Sequence, residues 1–282
     1  MRFSISAVAL AATLATGTIA VFAQWPAHSS GGPKTPDGKL DLTAPAPRTA
    51  DGKPDFSGYW LLAGGAGGAG AQGKGPQAAP PPPPPADGPP VATFFNIGAN
   101  FKEGLPLQPW AAALLEKRKA DNSKDNPDAH CLPMGLMQFH LHPQPRKIIQ
   151  TPKEIVIIYE ANNGLRQIFT DGRTLPGGDP EPWWYGYSIG HWDGDTLVVE
   201  TTGYRDDVWL DVWGTPMTSA AKTIERFRRP DYGTMQIDVT IDDPKAYTKP
   251  FTVRVNHRLS PDGELIEFIC EDRDAVHYVG KQ

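Results

Sequence analysis

The second half of the chain is dominated by short segments in which apolar and polar residues alternate, separated by turn sequences. The alternation is clearest at 235–241 and 251–255, where every second side chain is apolar. This period is typical of strands that bury one face. Strands are predicted at 155–159, 165–170, 185–192, 196–204, 223–229, 234–241, 251–259 and 264–270, with a short extra one at 148–150.

Such a meander removes its exposed edges by closing on itself. The sequence therefore predicts an all-β fold, an antiparallel up-and-down β-barrel of about eight to ten strands with one amphipathic helix. Tight hairpin turns are predicted at 162–164, 193–194, 231–233 and 262–263. They alternate with long connections at 171–184, 205–222 and 242–250. Because successive connections of a meander change ends, we expect the tight turns at one end and the long loops, with the binding site, at the other.

The first residues are typical of an export signal. Arg2 precedes an uncharged apolar run that ends in a small-residue cleavage pattern at Ala23. Residues 1–23 are therefore predicted to be a signal peptide, and the protein to be periplasmic or secreted without a membrane span after signal removal. The alternative is that this segment stays as a membrane anchor.

The remaining chain is predicted to be one barrel domain at 55–282, preceded by an extended leader at 24–54. Residues 64–90 are a low-complexity insertion rich in Gly and Pro, with six prolines at 80–85, and we expect this insertion to be disordered. The helix is predicted at 107–120, because Pro109 suits a first turn and basic residues suit the last.

The charge and the motifs limit the partners. A formal charge of -5 argues against a nucleic-acid partner, since binding to a polyanion needs clustered Lys and Arg. No glycine loop that could cradle phosphate and no nucleophile elbow is present, so no cofactor is predicted. The sequence leaves the oligomeric state open.

Only two cysteines, Cys131 and Cys270, occur in the chain. In an oxidising compartment a lone pair of cysteines more often forms a bridge than stays free, so a disulfide is predicted between the segment before the sheet and the last strand. A catalytic thiol is the alternative.

Half of the eight tryptophans lie in the long connections, beside charged residues. Aromatic faces among charged groups suit a small organic ligand with an aromatic or sugar ring. The predicted ligand-binding residues are Asp171, Arg173, Trp183, Trp184, Trp209, Asp211 and Trp213. Alternatively, the tryptophans close the end of the barrel as part of its core.

Polar residues also interrupt strand faces that should be apolar. Glu225, Glu267 and Tyr187 are the predicted catalytic set, as acid, base and donor of a lyase, an isomerase or a hydrolase in the same cavity. The alternative is that the carboxylates form structural ion pairs with Arg226, Arg254 or Arg258.

Three histidines form a further group. His140 and His142 would point the same way in a strand, as metal ligands do, and His130 is near them in sequence. Because no complete ligand-spacing motif is present, no metal site is predicted, and loop or surface histidines are the preferred interpretation.

Several motifs together resemble a family of secreted bacterial proteins that has no established activity. They are residues 54–60 (PDFSGYW), 131–135 (CLPMG), 147–152, 169–173 (FTDGR), 190–203 (GHWDGDTLVVETTG) and 240–250. Where this family often carries His, the present chain has Tyr187 and Met217, so chemistry that depends on those histidines is not expected here. Gly58-Tyr59-Trp60 is also similar to the opening of lipocalins, which implies a calycin-like barrel.

The leading functional hypothesis is therefore a barrel that binds a small organic molecule at its long-loop end. An enzyme in the same cavity is the first alternative. A structural module associated with the cell envelope is the second.

Overall fold

In a computed structural model, which describes residues 31–64, 88–178 and 180–270, the chain forms a closed barrel of nine strands. The predicted all-β barrel is thereby confirmed. The predicted signal peptide and most of the Gly/Pro insertion lie outside the described residues. The strands are β1 (Gly58–Leu62), β2 (Arg146–Gln150), β3 (Glu154–Tyr159), β4 (Leu165–Phe169), β5 (Tyr187–Asp193), β6 (Thr196–Thr202), β7 (Lys222–Arg228), β8 (Thr234–Asp242) and β9 (Phe251–Leu259).

Neighbouring strands follow the order of the chain and pair antiparallel, with one exception. Strands β4 and β5 are parallel, with Ile168 opposite Ser188. Strands β9 and β1 are antiparallel and close the ring. A ring of nine strands cannot alternate in direction all the way round, so one parallel pair is required.

The parallel pair changes where the connections lie. Residues 170–186 must cross from one end of the barrel to the other, because β4 and β5 run in the same direction. The end that carries the 203–221 and 243–250 connections is called the loop end here, and the opposite end the turn end. The tight turn after β3 lies at the loop end, so the tight turns do not all share one end as predicted.

The last predicted strand does not form. Residues 264–270 contain no strand, and Ile266 and Ile269 are 59% and 69% exposed. The physical reason is that β9 already pairs with β1, which leaves no free edge for another strand. The predicted disulfide between Cys131 and Cys270 is confirmed, and it fastens this segment to the connection that precedes β2.

Two α-helices accompany the barrel, α1 (Pro109–Ala120) and α2 (Leu136–Leu141), with short 3-10 turns at Pro127–His130 and Ala161–Asn163. Helix α1 has Pro at its start and Lys117, Arg118 and Lys119 in its last turn, as its sequence predicts. In the described part of the chain, no helix has the length and apolar character needed to cross a membrane.

The barrel interior is filled from both ends. All six residues of α2 are buried, and this helix closes the loop end. At the turn end Phe56 is 1% exposed, stacks on Trp192 and packs its edge against Phe227. The carbonyl of Phe56 accepts a hydrogen bond from Trp60 Nε1 at 3.0 Å.

The described part of the leader lies along the turn end. Residues 33–41 and 47–55 form two similar hairpin turns, in which Thr35 and Thr49 each bond an aspartate two residues later. Arg48 then makes a two-pronged ion pair with Asp195 in the turn after β5, at 2.6 and 2.8 Å. The leader is thereby attached to the barrel.

Replacing both cysteines by serine should lower the free energy of unfolding by about 2–4 kcal/mol, because the bridge closes a long loop in the unfolded chain. The loop spans 139 residues. Urea unfolding with and without reductant measures the effect. The double variant should be insensitive to reductant, and equal stability of variant and oxidised wild type would contradict the expectation.

Candidate functional site

The loop end carries a cavity of about 370 Å³ between α1 and the connection that follows β6. We call it the indole cavity, because two tryptophan rings form part of its wall. Its main lining residues are Leu114, Lys117, Arg118, Asp121, Trp184 and Trp209.

Helix α1 supplies one wall through residues spaced three or four apart, which lie on one helical face. Arg118 is the most constrained of them. Its guanidinium donates to the carbonyl of Gly214 at 2.7 Å and lies 4.2 Å above the Trp209 ring. Burial lowers the pKa of Arg118 to about 10, so it still carries its charge at neutral pH. The result is a fixed cation beside an aromatic face.

The second indole arrives from a different part of the chain. Trp184 lies just before β5, at the end of the connection that crosses the barrel, and is half-buried. Arg205 covers its ring at 4.6 Å and holds Asp207 with two hydrogen bonds of 2.8 Å. Both tryptophans of the cavity are thus oriented by cation–π contacts.

The remaining wall is mixed in charge. Asp121, Asp125 and Asp207 supply carboxylates, while Pro127 and Leu132 supply apolar surface. Together with Lys117 and Arg118, the cavity offers both signs of charge around aromatic faces. This combination suits a small polar molecule with a ring.

Beneath the loop end lies a buried polar cluster centred on Glu225, which is 0% exposed. Arg166 donates to both of its carboxylate oxygens, and His140 Nε2 donates to Oε1 at 2.7 Å. Ser188 and Thr201 accept from the same guanidinium at 3.1 and 3.2 Å. Side chains of four strands and α2 meet at this cluster.

The cluster fixes the charge states of its members. Burial would raise the pKa of Glu225, but the charge of Arg166 and the hydrogen bonds of His140 and Arg166 outweigh it and hold this pKa at about 2. Burial lowers the pKa of His140, against the pull of Glu225. Glu225 is therefore a carboxylate and His140 a neutral donor.

A second buried arginine holds the end of α2. Arg146 donates to the carbonyls of His140, His142 and Gln144 at 2.7, 2.6 and 3.0 Å, and also to Nε2 of His257. Burial lowers the pKa of His142 to about 3 and that of His257 well below its usual value. Both imidazoles are neutral, and α2 is locked into the barrel.

The structure does not bring the predicted catalytic set together. Glu225 points inward on β7, whereas Tyr187 points outward on β5 and Glu267 is exposed on the 264–270 segment. Alternation along β5 decides this, because the next residue, Ser188, is the one that faces the interior. The partner of Glu225 is Arg166 rather than a predicted arginine.

Two of those predicted arginines pair with other carboxylates. Arg254 pairs with Asp238 at 2.6 Å, and Arg226 lies 3.7 Å from Asp193.

The predicted ligand-binding residues fall into separate groups. Asp171 and Arg173 form an ion pair at 2.6 Å, Arg173 donates to Tyr187 Oη at 3.0 Å, and Trp183 packs against Tyr187. This is a surface cluster apart from the indole cavity. Of the predicted set, Trp184 and Trp209 are the pair that share a cavity.

The other two predicted ligand contacts have local roles. Asp211 is fully buried, and its carboxylate accepts bonds from Ile97, Gly214 and Thr215, so it shapes the connection after β6. Trp213 is 39% exposed, with Lys119 above its ring at 5.1 Å.

The three histidines singled out in the sequence are not arranged as metal ligands. His140 and His142 lie at the end of α2 rather than in a strand, and His130 is exposed and bonded to the carbonyl of Lys124. Within 31–64, 88–178 and 180–270, no three His, Cys, Asp or Glu side chains are grouped to hold a metal ion.

Sequence reasoning missed Arg166 and Arg118. Arg166 is two residues before Ile168 on β4, so its place on the inward face was readable from the same alternation that singled out Glu225. Arg118 follows Leu114 by one helical turn, but nothing in the sequence indicates that Trp209 and Gly214 meet it.

Comparisons with family models, with curated proteins and with solved structures find no match to this chain.

Replacing Glu225 by Gln should lower the free energy of unfolding by about 3–5 kcal/mol, because Arg166 would be left buried without its counter-ion. Glu200→Gln on the adjacent strand is the matched control, since Glu200 is partly exposed and makes no ion pair within the described chain. The control should change stability by less than about 0.5 kcal/mol. Chemical denaturation measures the free energy of unfolding of both variants. A similarly small decrease in both would contradict the role given to the ion pair.

Stability should also decrease as the pH falls below about 6.5. The folded-state pKa values of His140, His142 and His257 lie below that of an unfolded histidine, so acid protonates the unfolded chain first and favours it. Each such histidine contributes a slope of up to about 1.4 kcal/mol per pH unit.

The variant His142→Asn tests this expectation. Between pH 6 and 4 the variant's unfolding free energy should fall less steeply with decreasing pH than that of the wild type. The difference in slope should correspond to about one proton, because the variant has lost one histidine that is protonated on unfolding. Unfolding by urea at several pH values gives the slopes. Parallel profiles would show that His142 is not held neutral.

Proposed function

We propose that the protein is an exported binding barrel that holds a small polar organic molecule, with an aromatic or sugar ring, in the indole cavity. The observation that carries the proposal is the meeting of Trp184, Trp209 and Arg118 around one cavity of about 370 Å³. Sites for small molecules typically have volumes of about 300–1,000 Å³ and combine aromatic walls with a few polar groups.

The physical division of labour follows from the lining. The half-buried indole of Trp184 binds a flat ring by burial and stacking, while the cations of α1 and the carboxylates of Asp121 and Asp125 orient its polar substituents. Trp209 is 3% exposed and supports Arg118 from beneath. Arg118 and Trp209 hold each other in place before a ligand arrives. A preorganised wall lowers the entropic cost of binding.

Export is supported by one feature besides the predicted signal peptide. The chain carries a disulfide, which persists in oxidising compartments. A periplasmic or secreted location is therefore part of the proposal.

The binding role is preferred over the two alternatives. The proposed acid/base set is dispersed, and Glu225 is buried beneath α2 with its oxygens occupied. A purely structural module needs no cavity with aromatic and charged walls. None of Glu225, Glu267 and Tyr187 lines the indole cavity.

The ligand itself can be sought by native mass spectrometry of protein purified from its own compartment. A panel of monosaccharides and hydroxylated aromatic acids, followed by tryptophan fluorescence, provides the binding assay.

Replacing Trp184 by Ala should weaken binding of any ligand found in this way by about tenfold or more, because one stacking face is lost. Trp110→Ala is the control, since Trp110 is 46% exposed on α1 and does not line the cavity. Affinities come from titrations monitored by calorimetry, which does not depend on the indole signal. Unchanged affinity in Trp184→Ala would place the ligand elsewhere.

A further inference from the structure

A second cavity, of about 400 Å³, lies at the turn end between the leader and the outer face of β7 and β8. We call it the arginine cavity. Its polar lining consists of Arg48, Asp195, Thr196, Arg228, Arg229 and Gln236. Prolines from the leader and from the turn after β7 supply the apolar part of the wall. The indole cavity shares no lining residue with it.

Arg229 is the first indication of a ligand. It is 6% exposed, and no carboxylate of the described chain lies within ion-pair distance of it. Its terminal nitrogens donate to the carbonyls of Asp55, Ser57 and Tyr232, while its Nε is buried without a hydrogen-bond partner. Asp55 and Asp231 act on it only from a longer range. The guanidinium also lies 4.8 Å from the Trp60 ring and 5.4 Å from the Tyr232 ring. Arg229 thus has carbonyls and aromatic faces around it but no counter-ion, and an anion in the cavity would supply one.

Arg228 and Gln236 are the second indication. They face each other across β7 and β8, with side chains on the outer face of the barrel. One terminal nitrogen of Arg228 donates a hydrogen bond to Asp238 at 2.7 Å, so the other N–H groups of the guanidinium remain available. The side chains of Gln236 and Thr196 make no hydrogen bond to the described residues, although both line the cavity. Both side chains add hydrogen-bond donors to the lining of the cavity.

The single carboxylate in the lining does not oppose an anion. Arg48 binds both oxygens of Asp195 and lowers the pKa of that carboxyl group. Both groups are therefore ionised, and the pair carries no net charge. Asp238 is likewise shared between Arg228 and Arg254. Positive charge is left in excess around the cavity at Arg229 and Arg228.

We propose that the arginine cavity binds a compact oxyanion, the phosphate or carboxylate group of a small ligand. Arg228 and Arg229 supply the charge, and Thr196 and Gln236 supply neutral donors. Guanidinium groups bind such anions through short, charge-assisted hydrogen bonds. Because the leader forms one wall, an anion here also fastens the leader to the barrel.

Inorganic phosphate is the first probe, titrated by calorimetry at constant ionic strength with chloride as the replaced anion. Saturable binding to the wild type is expected. Arg228→Gln should weaken it by about tenfold or more, since a charge-assisted donor is lost. Arg226→Gln is the matched control, because Arg226 also points outward on β7, is partly exposed and does not line the cavity.

Two outcomes would overturn the proposal. One is that phosphate binds no better than chloride, and the other is that both arginine variants weaken binding equally. Acetate and sulfate in place of phosphate distinguish a carboxylate site from a tetrahedral-anion site.

Arg229→Gln is less suitable, since Arg229 also binds the carbonyls of Asp55, Ser57 and Tyr232, and its loss would disturb the fold around them. Gln236→Glu provides the second variant instead. It adds a carboxylate beside Arg228 and should abolish phosphate binding while the barrel stays folded, as judged by circular dichroism. Phosphate binding that survives in Gln236→Glu would contradict the proposal. Trp184→Ala should leave phosphate binding unchanged, so this test is independent of the indole cavity.

Discussion

In a closed sheet of nine strands, neighbouring directions cannot alternate all the way round. This chain places its one parallel pair at β4 and β5, and residues 170–186 must therefore travel the length of the barrel. The crossing brings Trp184 to the loop end, where Trp209 arrives from the connection after β6. Because α1 packs its Arg118 against Trp209, three distant segments form one wall. The indole cavity is thus a consequence of how the ring closes.

Closing the loop end with α2 brings an imidazole and several carbonyls into a low-dielectric interior, where they need partners. The ion pair of Arg166 and Glu225 provides the partner of the His140 imidazole. Arg146 donates to the carbonyls at the end of α2. Replacing a buried ion pair by apolar residues often costs no stability, whereas removing one partner is expensive. The main consequence of this cluster is therefore that it fixes the position of α2, because the buried hydrogen bonds can form in only one placement of the helix.

The two cavities differ in chemistry as well as in position. The loop-end cavity combines indole faces with both signs of charge, while the turn-end cavity is rich in guanidinium groups and lies against the leader. A packed interior separates them, with Phe56 closing one end and α2 the other. Ligands at the two places would contact different segments of the chain, so each can be tested without disturbing the other.

Local pattern was enough to predict the barrel and helix α1, because strand alternation and helix-end residues are features of neighbouring positions. The disulfide followed from the presence of only two cysteines in a chain expected to be exported. The same alternation identified Glu225 as a polar residue on an inward face. It could not supply its partners, since Arg166 and His140 lie on other elements and meet it only after the ring has closed. The parallel pair, the unformed strand at 264–270 and the two cavities were likewise decided by tertiary structure. Each depends on which edges and ends come together, and closure of the ring, not any local stretch of sequence, determines that.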